Sequence, residues 1–278
     1  MRPDRHVLYE AAVQSVDHDL ELFQRIYLRH RGRRFTRLRE DFCGTAALAC
    51  AWVRLRAANE AWAVDHDARV LEWARVHRLP RMRRSESDRA PTAAERLHLV
   101  RADVRARSSP LADFVCAMNF SYWVFKRRRD LIRYFRSVHR SLRPHGVFAC
   151  NAFGGTGAEQ PLIERTRIAA TRSAEGDPVP GFTYVWEQAS FNAIDHALEC
   201  FIHFRLRDGT EIRRAFRYDW RLWTLPELED ALREAGFRGV HFYLEGWDPR
   251  RNRPEERYRL RSRFDNRRGW LACVVGLK

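Results

Sequence analysis

Leu38-Arg39-Glu40-Asp41-Phe42-Cys43-Gly44-Thr45-Ala46 is the stretch on which the reading of this chain turns. Residues from Thr36 to Phe42 suit a strand and those from Thr45 to Leu55 a helix, which leaves Cys43 and Gly44 as a tight turn. A strand that turns abruptly into a helix leaves the first N–H groups of the helix unpaired. A ligand approaching that turn therefore meets donors already waiting.

Outward from the turn, strands and helices alternate. Ala61–Asp65 reads as a second strand, and Ala68–His77 as a helix with Asp67 as its N-cap. After a polar excursion from Arg81 to Glu95 come Leu97–Ala102 as a third strand, a polar loop to Pro110, and Ala112–Met118 as a buried fourth strand. Lys126–Leu142 reads as a helix with Leu131, Phe135, Val138 and Leu142 on one stripe; Arg143-Pro144-His145-Gly146 stops it, and Val147–Phe153 is the fifth strand. This alternation argues for a parallel, doubly wound sheet, in which ligands bind beyond the carboxyl ends of the strands. Three acids fall at such ends: Glu40, Asp65 and Asp103. Asp65 follows Gly44 by 21 residues, close to the spacing of a nucleoside-binding unit, where a carboxylate accepts from two ribose hydroxyls. Asp103 is placed to meet an adenine amino group.

Beyond Gly154 the period changes. Phe182–Phe191, Ala197–Arg207 and Glu211–Tyr218 read as three strands, with Asp208-Gly209 as a hairpin turn between the last two. Thr224-Leu225-Pro226-Glu227 fits a capping box, and the helix it opens ends near Gly236. Val240–Leu244 and Leu271–Gly276 supply two final strands, with the arginine-rich stretch from Arg250 to Arg268 expected as a surface loop. At the other end, Val13, Val16, Leu20, Phe23 and Tyr27 mark one face of an amphipathic helix from Tyr9 to about Arg29.

In motif order, from about Arg37 to Phe153 and again from Trp223 to Tyr243, the chain resembles the class I S-adenosylmethionine-dependent methyltransferases. The family pattern at the first turn is an acid, two residues, then Cys-Gly-Thr-Gly; Glu40 and Cys43-Gly44-Thr45-Ala46 stand in its place, while Phe42 and Ala46 occupy positions where glycines are usual. Leu142-Arg143-Pro144-His145-Gly146 and Trp223-Thr224-Leu225-Pro226-Glu227-Leu228 followed by Ala235-Gly236-Phe237 are further signposts. The resemblance implies S-adenosylmethionine as cofactor, held by Tyr9, Glu40, Phe42, Cys43, Gly44, Thr45, Asp65, His66, Asp103, Val104, Asn119 and Phe120. Asn119-Phe120-Ser121-Tyr122-Trp123 leaves the fourth strand beside the expected site of methyl transfer. Asn119 and Tyr122 match the two ends of the Asp/Asn-Pro-Pro-Tyr/Phe pattern of nucleobase-methylating enzymes, but both prolines are absent. Asn119, Tyr218 and His203 are the catalytic candidates, and Tyr122, Trp123, Arg221 and Trp223 are expected to line an acceptor pocket. The first helix, carrying Tyr9 and Gln14, is expected to act as a lid.

The expected architecture is α/β: a doubly wound, Rossmann-like, mostly parallel seven-stranded sheet with an N-terminal helix and an inserted antiparallel β-segment after the fifth strand. Its expected parts are a helical lid (1–32), a cofactor-binding half (33–155), a β-rich substrate insertion (156–218) and the C-terminal part of the core (219–278). A small-molecule acceptor is the first expectation, a nucleic-acid base the second, and a non-catalytic nucleotide-binding protein the third, prompted by the missing glycines. The formal charge of +15 suits a polyanionic partner. Yet Lys126 and Lys278 are the only lysines among 51 basic residues, and arginines run the whole length of the chain, so solvated surface charge explains it as well. The six cysteines form no Cys-x-x-Cys pair and no metal is expected, so reduced thiols in a cytoplasmic protein fit. No apolar run approaches a membrane span, and a homodimer is admitted as a state of assembly. The lack of G-x-G-x-x-G argues against a dehydrogenase, and nothing resembles a P-loop or nucleophile elbow.

Overall fold

The structure is a computed structural model and describes residues 3–82, 91–106, 110–248 and 253–278. The middle of the polar excursion expected from Arg81 to Glu95, part of the loop before Pro110, and the start of the expected loop from Arg250 lie outside the described residues. In chain order the elements are α1 (Arg5–Val13), α2 (Val16–Arg31), β1 (Arg37–Asp41), α3 (Ala47–Leu55), β2 (Glu60–Asp65), α4 (Ala68–His77), β3 (Leu97–Arg101), β4 (Ala112–Ala117), α5 (Arg128–Ser141) and β5 (Leu142–Gly154). Then follow β6 (Leu162–Ile168), β7 (Thr171–Arg172), β8 (Pro178–Val179), β9 (Phe182–Phe191), β10 (Ala197–Leu206), β11 (Glu211–Arg221), α6 (Leu225–Glu234), β12 (Gly239–Asp248), β13 (Arg253–Arg261) and β14 (Trp270–Leu277).

One sheet has the order β13-β12-β14-β5-β4-β1-β2-β3. β1 to β5 pair in parallel, β14 is antiparallel to β5, and β12 and β13 each pair antiparallel to their neighbour. The sheet is thus mostly parallel but has eight strands, not the seven expected. The eighth, β13, lies within the stretch read as a surface loop. Its sequence, Arg-Pro-Glu-Glu-Arg-Tyr-Arg-Leu-Arg, carries almost no apolar alternation because it is an edge strand, and only the hydrogen bonds of β12 identify it.

Alternation along the central strands builds two cores. Phe114 and Cys116 of β4 face α2, α3 and α4, whereas Val115 and Ala117 face α5 and α6. The capping box of α6 forms as its residues require: Glu227 Oε2 accepts from the Thr224 N–H at 2.9 Å, and Thr224 Oγ1 accepts from the Glu227 N–H at 3.4 Å. All six cysteines are free and buried, and burial pushes their thiols above the ordinary range.

The inserted segment forms a second, antiparallel sheet in the order β11-β10-β9-β6, one strand more than expected. No residue of β6 is buried, so the strand shows no buried face for a sequence to betray. The amphipathic N-terminal run is two helices, not one. Gln14 is extended (ψ 130°), and Ser15 precedes α2, whose first turn carries Asp17 and Asp19. The break lets α1 leave the α/β core and lay Leu8 in a cluster with Ile202 and Phe204 of the inserted sheet and Val179 of β8. Among the described residues no helix is long and apolar enough to cross a membrane.

Candidate active site

β1 delivers Glu40 and Asp41 to the carboxyl edge of the sheet, and the chain then turns through Phe42 to Ala46 into α3. The turn is held across the sheet: the Cys43 N–H donates to the Val64 carbonyl at 3.0 Å, and the Gly44 N–H donates to Asp65 Oδ2 at 2.9 Å. Gly44 has φ 53°, but so, almost, do Phe42 and Ala46, each at 57°. Asn119 and Phe120, leaving β4, are at 54° and 57°. Left-handed backbone costs a non-glycine residue roughly 1–2 kcal/mol. Four such residues therefore ring one end of the sheet, where the surrounding structure imposes the conformation. Ala46→Gly is expected to raise stability by about 0.5–1 kcal/mol, the relief exceeding the entropy a glycine gives the unfolded chain. The denaturant midpoint at unchanged m-value measures it.

A cleft of about 170 Å³ opens beside this turn. Its floor is Glu40, Asp41, Phe42, Cys43, Gly44 and Thr45, with Val70 of α4 and with Met118, Asn119 and Ser121 after β4. His6, Tyr9 and Gln14 cover it from α1 and the break after it, and Phe216 and Tyr218 of β11 close the remaining side. A wider concavity of about 580 Å³ lies along α5 among Arg129, Asp130, Arg133, Arg136 and Arg140.

The charges in the cleft are unusual. Burial pushes the Glu40 carboxyl up to about 8, although its Oε2 accepts the Ala49 N–H at 2.9 Å. Asp41 is raised by burial too, opposed by Arg39, whose Nε donates to Asp41 Oδ1 at 2.6 Å. The Tyr134 hydroxyl donates to the other oxygen of Asp41 at 2.9 Å. Tyr9 and Tyr218 share the cleft; burial lifts Tyr9 to about 12 and Tyr218 well above the ordinary range. Both phenols keep their protons at neutral pH. Gln14 Oε1 is buried with no hydrogen-bond partner among the described residues, an acceptor waiting at the cleft.

Of the residues singled out from the sequence, the structure brings Tyr9, Glu40, Phe42, Cys43, Gly44, Thr45, Asn119 and Tyr218 together around this cleft. Asp65 stands immediately behind the turn, its Oδ1 accepting the Asp67 N–H at 3.0 Å, and His66 beside it is largely exposed. Asp103 is held by Arg105, whose Nη2 donates at 2.6 Å and keeps the carboxyl below its ordinary range. The Val104 side chain is buried, and its carbonyl accepts from Arg39 Nη2 at 2.9 Å.

Other candidates lie away from the cleft. Phe120 packs on Trp123 and Phe153, its N–H donating to Asn151 Oδ1 at 2.9 Å. The 3-10 turn Ser121–Val124 sends the rings of Tyr122 and Trp123 into the core, both fully buried, with the Tyr122 hydroxyl donating to the Asn151 carbonyl at 3.1 Å. His203 is on the opposite face of β10 from Ile202 and Phe204, engaged with Glu187 at 2.8 Å and with the Arg214 N–H at 3.1 Å. Arg221 donates to the Lys126 carbonyl and Glu227 and lies over Trp223, which is itself core. His6, Asp41, Val70, Met118, Ser121 and Phe216 line the cleft without having been singled out as site residues, and Gln14 had been read only as part of the expected lid. Two of them had a signal: His6 is one helical turn before Tyr9, and Phe216 shares the strand face of Tyr218.

No protein-family model matches the sequence, and no curated protein does either. Solved structures do match. DesVI of Streptomyces venezuelae is 16% identical, with 99% of each chain covered and a TM-score of 0.66. CalS10 of Micromonospora echinaspora, an amino pentose methyltransferase with S-adenosylmethionine bound, is 15% identical over 98% of this chain and 97% of its own, with a TM-score of 0.62. An S-adenosylmethionine-dependent methyltransferase of Clostridium acetobutylicum is 15% identical over 96% of this chain and 95% of its own, again at 0.62. Over its whole length, therefore, the chain has the fold of the S-adenosylmethionine-dependent methyltransferases.

Proposed function

We propose that this protein transfers the methyl group of S-adenosylmethionine to a small-molecule acceptor, an amine on a sugar-like ring. The observation that carries the reading is the cleft itself, in which the Cys43-Gly44-Thr45 turn and the inserted sheet's Phe216 and Tyr218 face one space. Cofactor and acceptor would meet where those two walls meet. CalS10 acts on an amino pentose, and KedS8, 17% identical with a TM-score of 0.60, is a sugar N-methyltransferase; both support an amine acceptor.

The residues suit the cofactor. Glu40 and the unpartnered Gln14 Oε1 offer two acceptors to an α-ammonium group. The Asp65 carboxylate at the end of β2 suits ribose hydroxyls. The rings of Tyr9 and Phe42 give π-faces to a sulfonium. Bound there, the cofactor supplies an electrophilic methyl group. The protein contributes alignment and the exclusion of water, which α1 and β11 provide by closing over the turn. Because Tyr9 and Tyr218 hold their protons at neutral pH, neither takes one from an incoming ammonium; His6, which burial keeps in its neutral form, is the cleft residue able to accept one. The nucleobase alternative loses the feature that suggested it, since the Tyr122 ring is buried and offers no stacking surface. Six free thiols fit a reducing compartment, and we place the enzyme in the cytoplasm. A homodimer belongs to the same proposal and is read from the mass in solution.

Calorimetric titration with S-adenosylhomocysteine tests the reading. Binding in the micromolar range, about −8 kcal/mol, is expected. Asp65→Ala should weaken it by at least about tenfold, since charged hydrogen bonds are worth roughly 1.5–3 kcal/mol each. No binding by the folded wild-type protein would overturn the proposal. With binding established, methylation of a panel of amino sugars tests the acceptor class.

A further inference from the structure

Arg78 ends α4, its N–H donating to the Ala74 carbonyl at 2.9 Å, and its side chain is fully buried. A guanidinium out of water is costly unless its N–H groups find partners and its charge is balanced. Here the partners come from three separate parts of the chain. Nε donates to the Thr45 carbonyl at 2.6 Å, and Nη2 to Thr45 Oγ1 at 3.3 Å. Nη2 also binds Glu10 of α1, and Nη1 binds Glu175 in the turn between β7 and β8. The Thr45 hydroxyl donates to Glu10 in turn, which closes the network.

Each partner has a place in the site. Thr45 belongs to the turn that forms the cleft floor, and Glu10 follows Tyr9, which covers it. Glu175 belongs to the inserted segment, and neither α1 nor the β7–β8 turn is part of the eight-stranded sheet. An exposed second pair, Arg81 with Asp177, docks the same turn on the residues just after α4. Without Arg78, Glu10 and Glu175 would be two carboxylates kept from water with no cation between them.

We propose that Arg78 is a positioning residue that seats α1 and the β7–β8 turn on Thr45, so that the cleft is closed by one guanidinium acting on three segments. The inference rests on the methyltransferase reading for its functional consequence, but the closure itself can be measured without any ligand. A staple serving stability alone would lower the unfolding midpoint and leave cofactor affinity and the local opening of α1 unchanged.

The test uses Arg78→Lys, which keeps the charge but loses the fork that reaches three partners, and Glu175→Gln, which touches nothing in the cleft. Hydrogen exchange is followed by mass spectrometry over residues 5–13 and 171–179 in the full-length protein, and affinity for S-adenosylhomocysteine by calorimetry. Both variants are expected to speed exchange in both segments while β1 and β4 stay protected, and to weaken binding by about tenfold or more. Combining Glu175→Gln with Glu10→Gln should cost less than the product of the single effects, because both act on one guanidinium. Wild-type exchange over residues 5–13 together with wild-type affinity in both variants would overturn the proposal. Should the wild-type protein bind no S-adenosylhomocysteine, the methyltransferase reading falls. The proposal is then judged on exchange alone: faster opening of residues 5–13 in the ligand-free variants upholds it, and unchanged opening sinks it.

Discussion

Affinity for S-adenosylhomocysteine is expected to rise with pH across the neutral range and level off near pH 8, where Glu40 titrates. The sign follows from the burial of that carboxyl. In the free protein Glu40 holds its proton up to about pH 8, well above the ordinary 4.5. A bound α-ammonium favours the carboxylate and pulls its titration down. Between the two values the free protein carries a proton that the complex does not, so binding releases it and strengthens by up to about tenfold per pH unit. Calorimetry in two buffers of different ionisation heat counts the proton directly. Glu40→Gln should abolish the slope and weaken binding at pH 8 by about 10- to 100-fold, the worth of one charged hydrogen bond. A flat profile in the wild-type protein would show that the ammonium lies elsewhere. The ligand-free protein should behave oppositely. A raised carboxyl contributes stability that is complete below pH 4.5 and is lost as the pH climbs through 8.

The second large effect is on folding. Arg39→Met is expected to cost about 3–5 kcal/mol, because it strands a buried charge. Arg39 and Asp41 are both essentially inaccessible, and the guanidinium also serves Ser141 Oγ and the Val104 carbonyl, each at 2.9 Å. Removing the cation leaves Asp41 with the Tyr134 hydroxyl as its side-chain partner among the described residues. The double variant Arg39→Met with Asp41→Leu should recover most of the loss, as apolar replacements of buried pairs often do. Equilibrium denaturation of the two variants decides it. Equal loss in the single and double variants would mean that packing volume, not uncompensated charge, sets the cost.

What the sequence discloses of this architecture depends on whether an element has a buried face. β4, buried along its whole length, and α5, with Leu131, Phe135 and Val138 on one stripe, are legible because burial imposes a period. The Thr224–Glu227 capping box is legible because local hydrogen bonding suffices to form it. β6 and β13 were missed because, unlike the edge strands β3 and β11, neither sequence alternates apolar with polar residues, and backbone pairing to a neighbour leaves no mark in side-chain order. The division of the first helix at Gln14 was missed for a related reason: α1 and α2 are both amphipathic, and only the tertiary destination of Leu8 separates them.

The cleft was half legible. Its floor follows chain order through the first turn, so Glu40 to Thr45 could be read directly. Its roof was legible only in part: Tyr9, Gln14 and Tyr218 were read from the sequence, whereas His6 and Phe216 reach it from segments far apart in the chain. Aromatic identity proved a poor guide to the acceptor wall. Tyr122, Trp123 and Trp223 are as aromatic as Tyr218 but fill the space between the two sheets, whereas Tyr218 and Phe216 face the cleft.

The six thiols have a practical consequence for anyone studying this molecule. Each is buried and each is held in the unreactive protonated form. Alkylating agents attack thiolates, so the native chain should stay almost silent to iodoacetamide while the denatured chain takes up label at every cysteine. Because Cys43 lies in the first turn, Cys200 in the inserted sheet and Cys273 in the last strand, the order in which they become labelled in mild denaturant reports which region comes apart first. Evolution has left the chain with its own set of internal unfolding probes, and no engineered reporter is needed.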